Sequence, residues 1–184
     1  MSTKPAQPDL QTDFENSLDQ RSLVAFLLGK QTYALPIEPI AQIIEMVTIT
    51  AIPQVDGAVE GVINVRGKAV PVVKMHRQLD LPDAPLELHT PIILVIRNGQ
   101  MVGLIVDEVI DVFKVSASQQ ASAEDILPEG LGKASVLEGL VHVDGDVVIL
   151  LNLEYLFLPG QAQVLAQALD EADLNGSGST KDGA

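Results

Sequence analysis

Cysteine and tryptophan are absent from this 184-residue sequence, and aromatic residues make up only 3% of it. A chain without cysteine has no disulfide framework, no thiolate-ligated zinc or iron–sulfur cluster and no catalytic thiol. Basic residues are also few, 11 against 25 acidic ones, which gives a formal net charge of −14. Because nucleic acids and anionic membranes bind basic surfaces, this charge argues against both classes of partner.

Long hydrophobic runs are missing as well. The longest uninterrupted apolar stretch covers residues 23–29, far fewer than the roughly 20 residues that span a bilayer. Residues 1–20 hold four acids and one lysine, and they lack the basic start and apolar centre of a signal peptide. We therefore expect a cytoplasmic protein without direct membrane insertion, whose first 20 residues are disordered.

Short apolar segments separated by turn signals fill the middle of the chain. Asn98-Gly99 and Asp144-Gly145 each favour a type I′ hairpin turn, because both turn positions need a positive φ. Hairpins at such regular spacing predict a mainly β barrel or sandwich. The predicted strands lie at residues 23–28, 32–35, 61–65, 69–73, 92–96, 100–106, 108–115, 136–143 and 147–151, and residues 38–44 are compatible with a helical turn or an irregular strand.

An internal repeat joins two distant parts of the chain, since residues 59–75 and 137–153 align without a gap. Two buried hairpins can look alike by chance, but the pattern favours two similar β subdomains, each built around one copy. The copies differ at their turns, so we expect the two hairpins to face different partners: Arg66 in the first copy corresponds to Asp144 in the second. The identical pairs are Glu60/Glu138, Gly61/Gly139, Val65/Val143, Gly67/Gly145 and Val70/Val148.

A helix is predicted over residues 160–174, followed by a flexible tail at residues 175–184. Its acidic residues fall in the last turn, the unfavourable end for the helix dipole, so the helix would need docking to be stable. The apolar face consists of Val164, Leu165, Ala168, Leu169 and Ala172, and the acids are Asp170, Glu171 and Asp173.

No sequence pattern points to catalysis or to a metal site. Phosphate-binding loops and serine nucleophile elbows are absent. The histidines lack metal-ligand spacing, and we expect His76 and His89 at the surface and His142 facing solvent or packing on its hairpin. Asp107 and Glu108 are neighbours on an extended segment, so their side chains should point to opposite faces. We therefore expect no cofactor, no metal and no catalytic residue.

Four ordered motifs carry a family resemblance over residues 21–159. GVINVRG at residues 61–67, followed by KAVPVV, resembles the central motif of the CheW family of bacterial chemotaxis coupling proteins. FLLGKQTYALPI at residues 26–37 is similar to the first hairpin of that family, and VGLIVD at residues 102–107 is similar to one of its later strands. Residues 139–153 resemble its last hairpin.

The resemblance implies both a fold and a function. The implied fold is a single CheW-like domain over residues 21–159, made of two intertwined five-stranded SH3-like β-barrel subdomains. The implied function is that of a non-enzymatic adaptor, which couples a CheA-type histidine kinase to the cytoplasmic tip of chemoreceptors. The regulatory domain of the kinase has the same fold. Such a protein is expected to be a monomer when isolated and to join a larger chemosensory array.

The resemblance also assigns two binding surfaces. A receptor groove would accept a receptor helix through an apolar surface with Arg66 at its rim. A weaker expectation is a kinase contact through the second barrel, between residues 136 and 151. The receptor-binding positions are Arg66, Gly61, Ile40, Gln42 and Pro91, and the kinase-binding positions are Val136, Leu140, Val148 and Leu150.

Two departures from the family pattern leave the receptor system open. Many members carry Glu where this chain has Gln42, and many carry D-L-R where it has Lys74, Met75 and His76. Flagellar chemotaxis, type IV pilus motility and surface sensing all remain possible pathways. Two other classes of function also stay open: an enzyme with a dispersed site around a metal pocket lined by His142 or Asp107, and a structural interaction protein unrelated to signalling.

Overall fold

A computed structural model describes residues 20–53, 55, 57–127 and 136–157 of the chain. The predicted disordered segment at residues 1–20, apart from Gln20, lies outside the described residues. The same holds for the predicted helix at residues 160–174 and for the tail after it.

Five strands form the first sheet, which we call the first subdomain. Its strand order is β3-β6-β7-β5-β4, with β5 and β7 parallel and the other neighbours antiparallel. Val, Ile and Leu supply most of these strands, as their β-branched and apolar side chains favour a buried pleated surface. The bounds are β3 at Ile40–Glu45, β4 at Val59–Val65, β5 at Lys68–Lys74, β6 at Pro91–Arg97 and β7 at Gln100–Ile105.

Six strands form the second sheet, the second subdomain, in the order β8-β1-β2-β11-β10-β9. Only β2 and β11 pair in parallel. The short helices α1 at Met75–Gln78, α2 at Ala123–Ile126 and α3 at Leu153–Leu156 follow β5, β9 and β11. The strands are β1 at Gln20–Leu28, β2 at Gln31–Pro36, β8 at Glu108–Ser116, β9 at Gln120–Ser122, β10 at Leu137–Val143 and β11 at Asp146–Leu151.

The two sheets repeat one topology. Hairpin β4–β5 occupies the same place in the first sheet as hairpin β10–β11 in the second, so the repeat seen in the sequence becomes a structural repeat. The hairpin β1–β2 takes the place in the second sheet that β6–β7 takes in the first. The first two strands therefore belong with the last four. The predicted mainly β fold is confirmed, although the second sheet has six strands where five were expected.

The chain that leaves one edge of each sheet bonds to its opposite edge. In the first subdomain, Thr50 lies just beyond β3 and exchanges two backbone hydrogen bonds with Val62 on β4, with N···O distances of 2.8 and 2.9 Å. In the second subdomain a single 3-10 turn, Ala117–Gln119, separates β8 from β9. Because β8 and β9 lie at opposite edges of one sheet, both sheets curl back on themselves.

Three apolar clusters hold the structure together. Each subdomain has its own interior cluster, and a larger cluster lies between the two sheets. Strand β6 contributes to both kinds, since Ile92 and Leu94 face the first interior while Ile93 and Val95 face the cluster between the sheets. This alternation follows from the two-residue period of a strand and joins the subdomains into one core.

Most local predictions are confirmed. Asn98 and Asp144 have φ of 50°, and the glycine after each also has a positive φ, as the type I′ prediction requires. Within residues 38–44, residues 38 and 39 lie in a turn, and the strand begins at Ile40 with a register shift between Ile40 and Gln42. The surface position expected for His76 is wrong: the residue is only 5% exposed, because α1 turns its ring toward the β7–β8 connection.

Candidate partner-binding site

A cleft of about 510 Å³ opens at one end of the first subdomain. The turns that follow β4 and β6 both border it, because the parallel neighbours β5 and β7 begin directly after those turns. Its lining residues are Ala41, Gln42, Val65, Arg66, Lys68, Ala69, Val70, Ile96, Gly99, Gln100 and Met101. Apolar walls and a cationic rim therefore share one concave surface.

Arg66 occupies an unusual backbone conformation at this rim. Its φ is +51°, in the left-handed region that costs a non-glycine residue about 1–2 kcal/mol. Asn98 and Asp144 hold the same conformation at their turns, but Asn and Asp tolerate it better than Arg does. The Asn64 Oδ1 accepts a hydrogen bond of 2.8 Å from the Gly67 N–H and fixes the turn. Backbone strain of this kind clusters at ligand clamps and switch regions, so it makes Arg66 a candidate functional residue.

The rim is positively charged in an acidic protein. Among the described residues that line the cleft, Arg66 and Lys68 are the charged ones, and neither forms an ion pair within the described part of the chain. The corresponding turn of the second subdomain carries Asp144 and Asp146. The two subdomains thus present topologically equivalent turns of opposite charge.

The five receptor positions expected from the sequence lie in different places. Arg66 and Gln42 border the same cleft, although they are distant in sequence. Ile40 is half-buried and packs against the cluster between the sheets. Pro91 lies in a separate cleft of about 310 Å³ beside Ile43. The structure therefore brings together two of the five positions and separates three.

Gly61, the fifth of these positions, lies where the first sheet curls back on itself. A Cβ at Gly61 would be 2.3 Å from the Thr50 carbonyl oxygen, and one at Gly139 would be 2.3 Å from the Ala121 carbonyl oxygen. Each glycine also follows a register shift in its hairpin. The repeated glycine of the sequence is thus explained by a close backbone approach.

The four kinase positions divide by burial. Val148 and Leu150 are 4% and 2% exposed and face the interior of the second subdomain, so their side chains do not reach a partner. Val136 is half-buried and packs against the cluster between the sheets. Leu140 is half-buried on the other face of β10, so Val136 and Leu140 are the partly accessible positions among the four.

An ion-pair network occupies the segment that departs from the family pattern. Lys74 is only 5% exposed, and its ammonium lies 2.5 Å from Asp83 Oδ1 while also donating to the Ala84 carbonyl oxygen. Arg77 donates to both Asp83 and Glu60. Hydrogen bonds from Lys74 and then Arg77 lower the pKa of Asp83 to about 2. The lysine thus has a carboxylate partner in the loop after α1.

His76 and Asp107 form a second polar link. The His76 Nε2 lies 2.8 and 2.9 Å from the two Asp107 carboxylate oxygens, and Nδ1 lies 2.6 Å from the Pro82 carbonyl oxygen. Asp107 Oδ2 also accepts a hydrogen bond of 2.6 Å from the Gly29 N–H in the β1–β2 turn. The pair therefore connects the two subdomains, a role that no local sequence signal indicated.

The described residues form no metal-binding cluster. They contain no group of three or more His, Asp or Glu side chains that could hold an ion. His142 is exposed on β10, and His89, 87% exposed at its side chain, lies 3.6 Å from Glu45. Among these same residues, no helix has the length and apolar character needed to cross a membrane.

Comparison with known proteins identifies the family. A family profile described as CheW-like domain matches residues 22–158. The chemotaxis protein CheW of Treponema pallidum is 29% identical over 80% of this chain and 88% of its own length, and the probable chemotaxis protein CheW of Rhizobium etli is 31% identical over 77% and 91%. The crystal structure of the scaffolding protein TtCheW from Thermoanaerobacter tengcongensis superimposes with a TM-score of 0.67 and 29% identity, covering 76% of this chain and 94% of that one. The chain belongs to the CheW-like domain family of chemotaxis proteins.

Proposed function

We propose that this protein is a non-enzymatic adaptor of a chemosensory array, which couples a CheA-type histidine kinase to the cytoplasmic tip of chemoreceptors. The observation that carries the proposal is the cleft with Arg66 at its rim in a strained conformation. Membership of a family whose matched relatives are chemotaxis and scaffolding proteins supports it. The protein would act in the cytoplasm, at membrane-bound receptors.

The cleft suits an amphipathic helix of a receptor bundle. Val65, Ile96 and Met101 supply apolar contact area, and such grooves take helix anchors spaced by three or four residues. Arg66 can pair with a carboxylate of that helix through two parallel hydrogen bonds. Gln42 lines the same cleft as a neutral hydrogen-bonding group, so a basic receptor residue has no acidic partner at this position.

The kinase contact belongs, in this proposal, to the outward face of hairpin β10–β11. Leu140 is half-buried there, and Val147 is 42% exposed. His142 pairs with Val147 across the hairpin and lies on the same face. A regulatory domain of the same fold could cover this face without disturbing the cleft of the first subdomain.

The decisive experiment compares two charge reversals. Receptor-containing membranes are sedimented with kinase and with either the Arg66→Glu or the Lys30→Glu variant. We expect Arg66→Glu to lose co-sedimentation with receptors while keeping kinase binding and the native circular dichroism spectrum. Lys30→Glu makes the same charge change at an exposed turn of the second subdomain and should keep receptor co-sedimentation. Unchanged co-sedimentation of Arg66→Glu would refute the proposed receptor site.

The receptor pathway is a separate question. The myxobacterial relative, protein FrzA of Myxococcus xanthus, is 22% identical over 80% of this chain, so relatives are not limited to proteins named CheW. Genes for a kinase and receptors beside the gene for this chain would support the adaptor function. Neighbours unrelated to signalling would favour a structural interaction protein instead.

A further inference from the structure

The turn between β6 and β7 presents an asparagine side chain that is free to react with the backbone beside it. Asn98 is exposed, and neither its side-chain amide nor the Gly99 N–H has a hydrogen-bond partner in the described ranges. A Cβ on Gly99 would meet nothing within 4 Å, so the backbone nitrogen of this glycine is open to a neighbouring side chain. A free carboxamide therefore lies next to an unhindered amide nitrogen.

We propose that Asn98 is a site of spontaneous deamidation, and that the carboxylate it produces weakens the adjoining cleft toward an acidic receptor side chain. The modification follows from the turn alone, whereas its effect on receptor binding rests on the function proposed above. In the reaction, the Gly99 nitrogen bonds to Asn98 Cγ in place of Nδ2, which leaves as ammonia with the proton of that nitrogen. Water then opens the cyclic imide and gives aspartate or isoaspartate at position 98.

The two other asparagines of the described chain are held by hydrogen bonds. The Asn64 Oδ1 accepts from the Gly67 N–H at 2.8 Å, and the Asn152 Oδ1 accepts from the Glu154 N–H at 2.9 Å. Each is followed by a branched apolar residue, which shields the backbone nitrogen that would have to attack. The structure thus distinguishes Asn98 from both of them.

The structural repeat indicates that aspartate fits the same turn. Asn98 and Asp144 both have a φ of 50°, and each precedes a glycine with a positive φ. Asn and Asp visit this left-handed region because their short polar side chains can hydrogen-bond locally. Conversion to aspartate should therefore preserve the hairpin. Isoaspartate adds a methylene group to the backbone and should distort the two-residue turn.

The turn lies beside the free cations of the cleft, which Gly99 lines together with Arg66 and Lys68. The parallel register of β5 with β7, extended back by four residues, sets Lys68 level with Gly99. Neighbouring strands are about 4.8 Å apart, well within the roughly 8–10 Å over which charges interact at physiological salt. A carboxylate at position 98 would pair with these cations and compete with a receptor carboxylate for them.

Mass spectrometry of the purified full chain tests the modification. During incubation at physiological pH and temperature, tandem spectra of proteolytic peptides should show Asn98 converting at least about tenfold faster than Asn64 and Asn152. Isoaspartate should form along with aspartate, because the imide opens at either carbonyl carbon. Conversion of Asn98 no faster than that of the other two, or a product without isoaspartate, would overturn the proposal.

A second asparagine–glycine pair, Asn175 with Gly176, lies outside the described residues and serves as the positive control. Conversion of Asn175 while Asn98 stays intact would show that the turn protects Asn98, and would refute the proposed site.

The Asn98→Asp variant isolates the effect of the new carboxylate. It should keep the native circular dichroism spectrum, and the backbone amide signals of Arg66 and Lys68 should shift. Its affinity for receptor-containing membranes should fall about two- to fivefold, the size expected for one exposed ion pair. Lys30→Gln makes the same change in net charge at an exposed turn of the second subdomain. This control should leave the signals of Arg66 and Lys68 and the receptor affinity unchanged.

The possible failures are distinguishable. Unchanged receptor affinity of Asn98→Asp, with a native chain that does bind receptors, would refute the effect on the cleft and leave the modification in place. A native chain that binds no receptor would refute the proposed function, and the mass spectra would still decide whether Asn98 deamidates.

Discussion

Gly61 and Thr50 approach so closely that a Cβ on Gly61 would lie 2.3 Å from the Thr50 carbonyl oxygen. The contact lies where the chain beyond β3 bonds to β4, and the repeat places Gly139 against Ala121 in the same way. Gly61 and Gly139, which both lie in motifs of the family resemblance, are therefore required by backbone geometry.

Replacing either glycine should destabilise the fold. We expect Gly61→Ala and Gly139→Ala each to lower the free energy of unfolding by about 2–4 kcal/mol, because the neighbouring backbone must shift. Gly67→Ala is the control, since nothing lies within 4 Å of its Cβ position and only its φ of +81° is unfavourable. Its cost should be about 1 kcal/mol. Urea unfolding that gives equal costs for Gly61→Ala and Gly67→Ala would contradict this explanation.

Relieving the strain at Arg66 should stabilise the protein. Asn accepts a φ near +50° more readily than Arg, so Arg66→Asn should raise the free energy of unfolding by about 0.5–1 kcal/mol. The reciprocal change, Asn98→Arg, should lower it by a similar amount at a turn of the same conformation. Arg66→Asn should at the same time weaken receptor binding. If both variants leave stability unchanged, the conformation of Arg66 is not strained.

The contact between His76 and Asp107 should make the effects of their substitutions on the free energy of unfolding interdependent. His76→Gln and Asp107→Ala each remove hydrogen bonds that connect the subdomains, and each should cost about 2–3 kcal/mol. The double variant should lose less unfolding free energy than the sum of the two single variants, by at least about 1 kcal/mol. His142→Gln, at an exposed position, should change stability by less than about 0.5 kcal/mol. Additive costs in urea unfolding would show that the two residues act independently.

Acid should weaken the network around Asp83. Its pKa is lowered from 3.8 to about 2, so the folded state releases this proton more readily than the unfolded state does. The resulting stabilisation is complete above pH 3.8 and is lost as the pH falls toward 2. The difference in unfolding free energy between the native chain and Asp83→Asn should therefore shrink over this window. A difference that stays constant from pH 6 to pH 2 would disprove the linkage.

Local chemistry made the hairpins predictable. The pairs Asn98-Gly99 and Asp144-Gly145 predict their turns, because few residue pairs readily adopt two positive φ values. Arg66-Gly67 adopts positive φ values at both positions as well, but Arg is not a turn signal, so only the adjoining motif drew attention to it. The burial of His76 could not be predicted, because its partners Pro82 and Asp107 are positioned by other elements.

The cleft was predictable only in part. Arg66 and Gln42 were singled out by the family resemblance, whereas Lys68, Ile96 and Met101 were not. These residues meet because β5 and β7 pair in parallel, and a parallel pair joins segments through a long connection that leaves no mark on local sequence patterns.

By itself, the sequence determined the mainly β class, the turns and the duplicated hairpin, since these depend on residue types a few positions apart. Tertiary structure decided which sheet each hairpin joins. The parallel pairing of Tyr33 with Ile149 places the first hairpin beside the last one, more than 100 residues away. It also decided that Gly61 lies at a close backbone approach and Arg66 at an open cleft, because the first depends on Thr50 and the second on two turns brought together by the sheet.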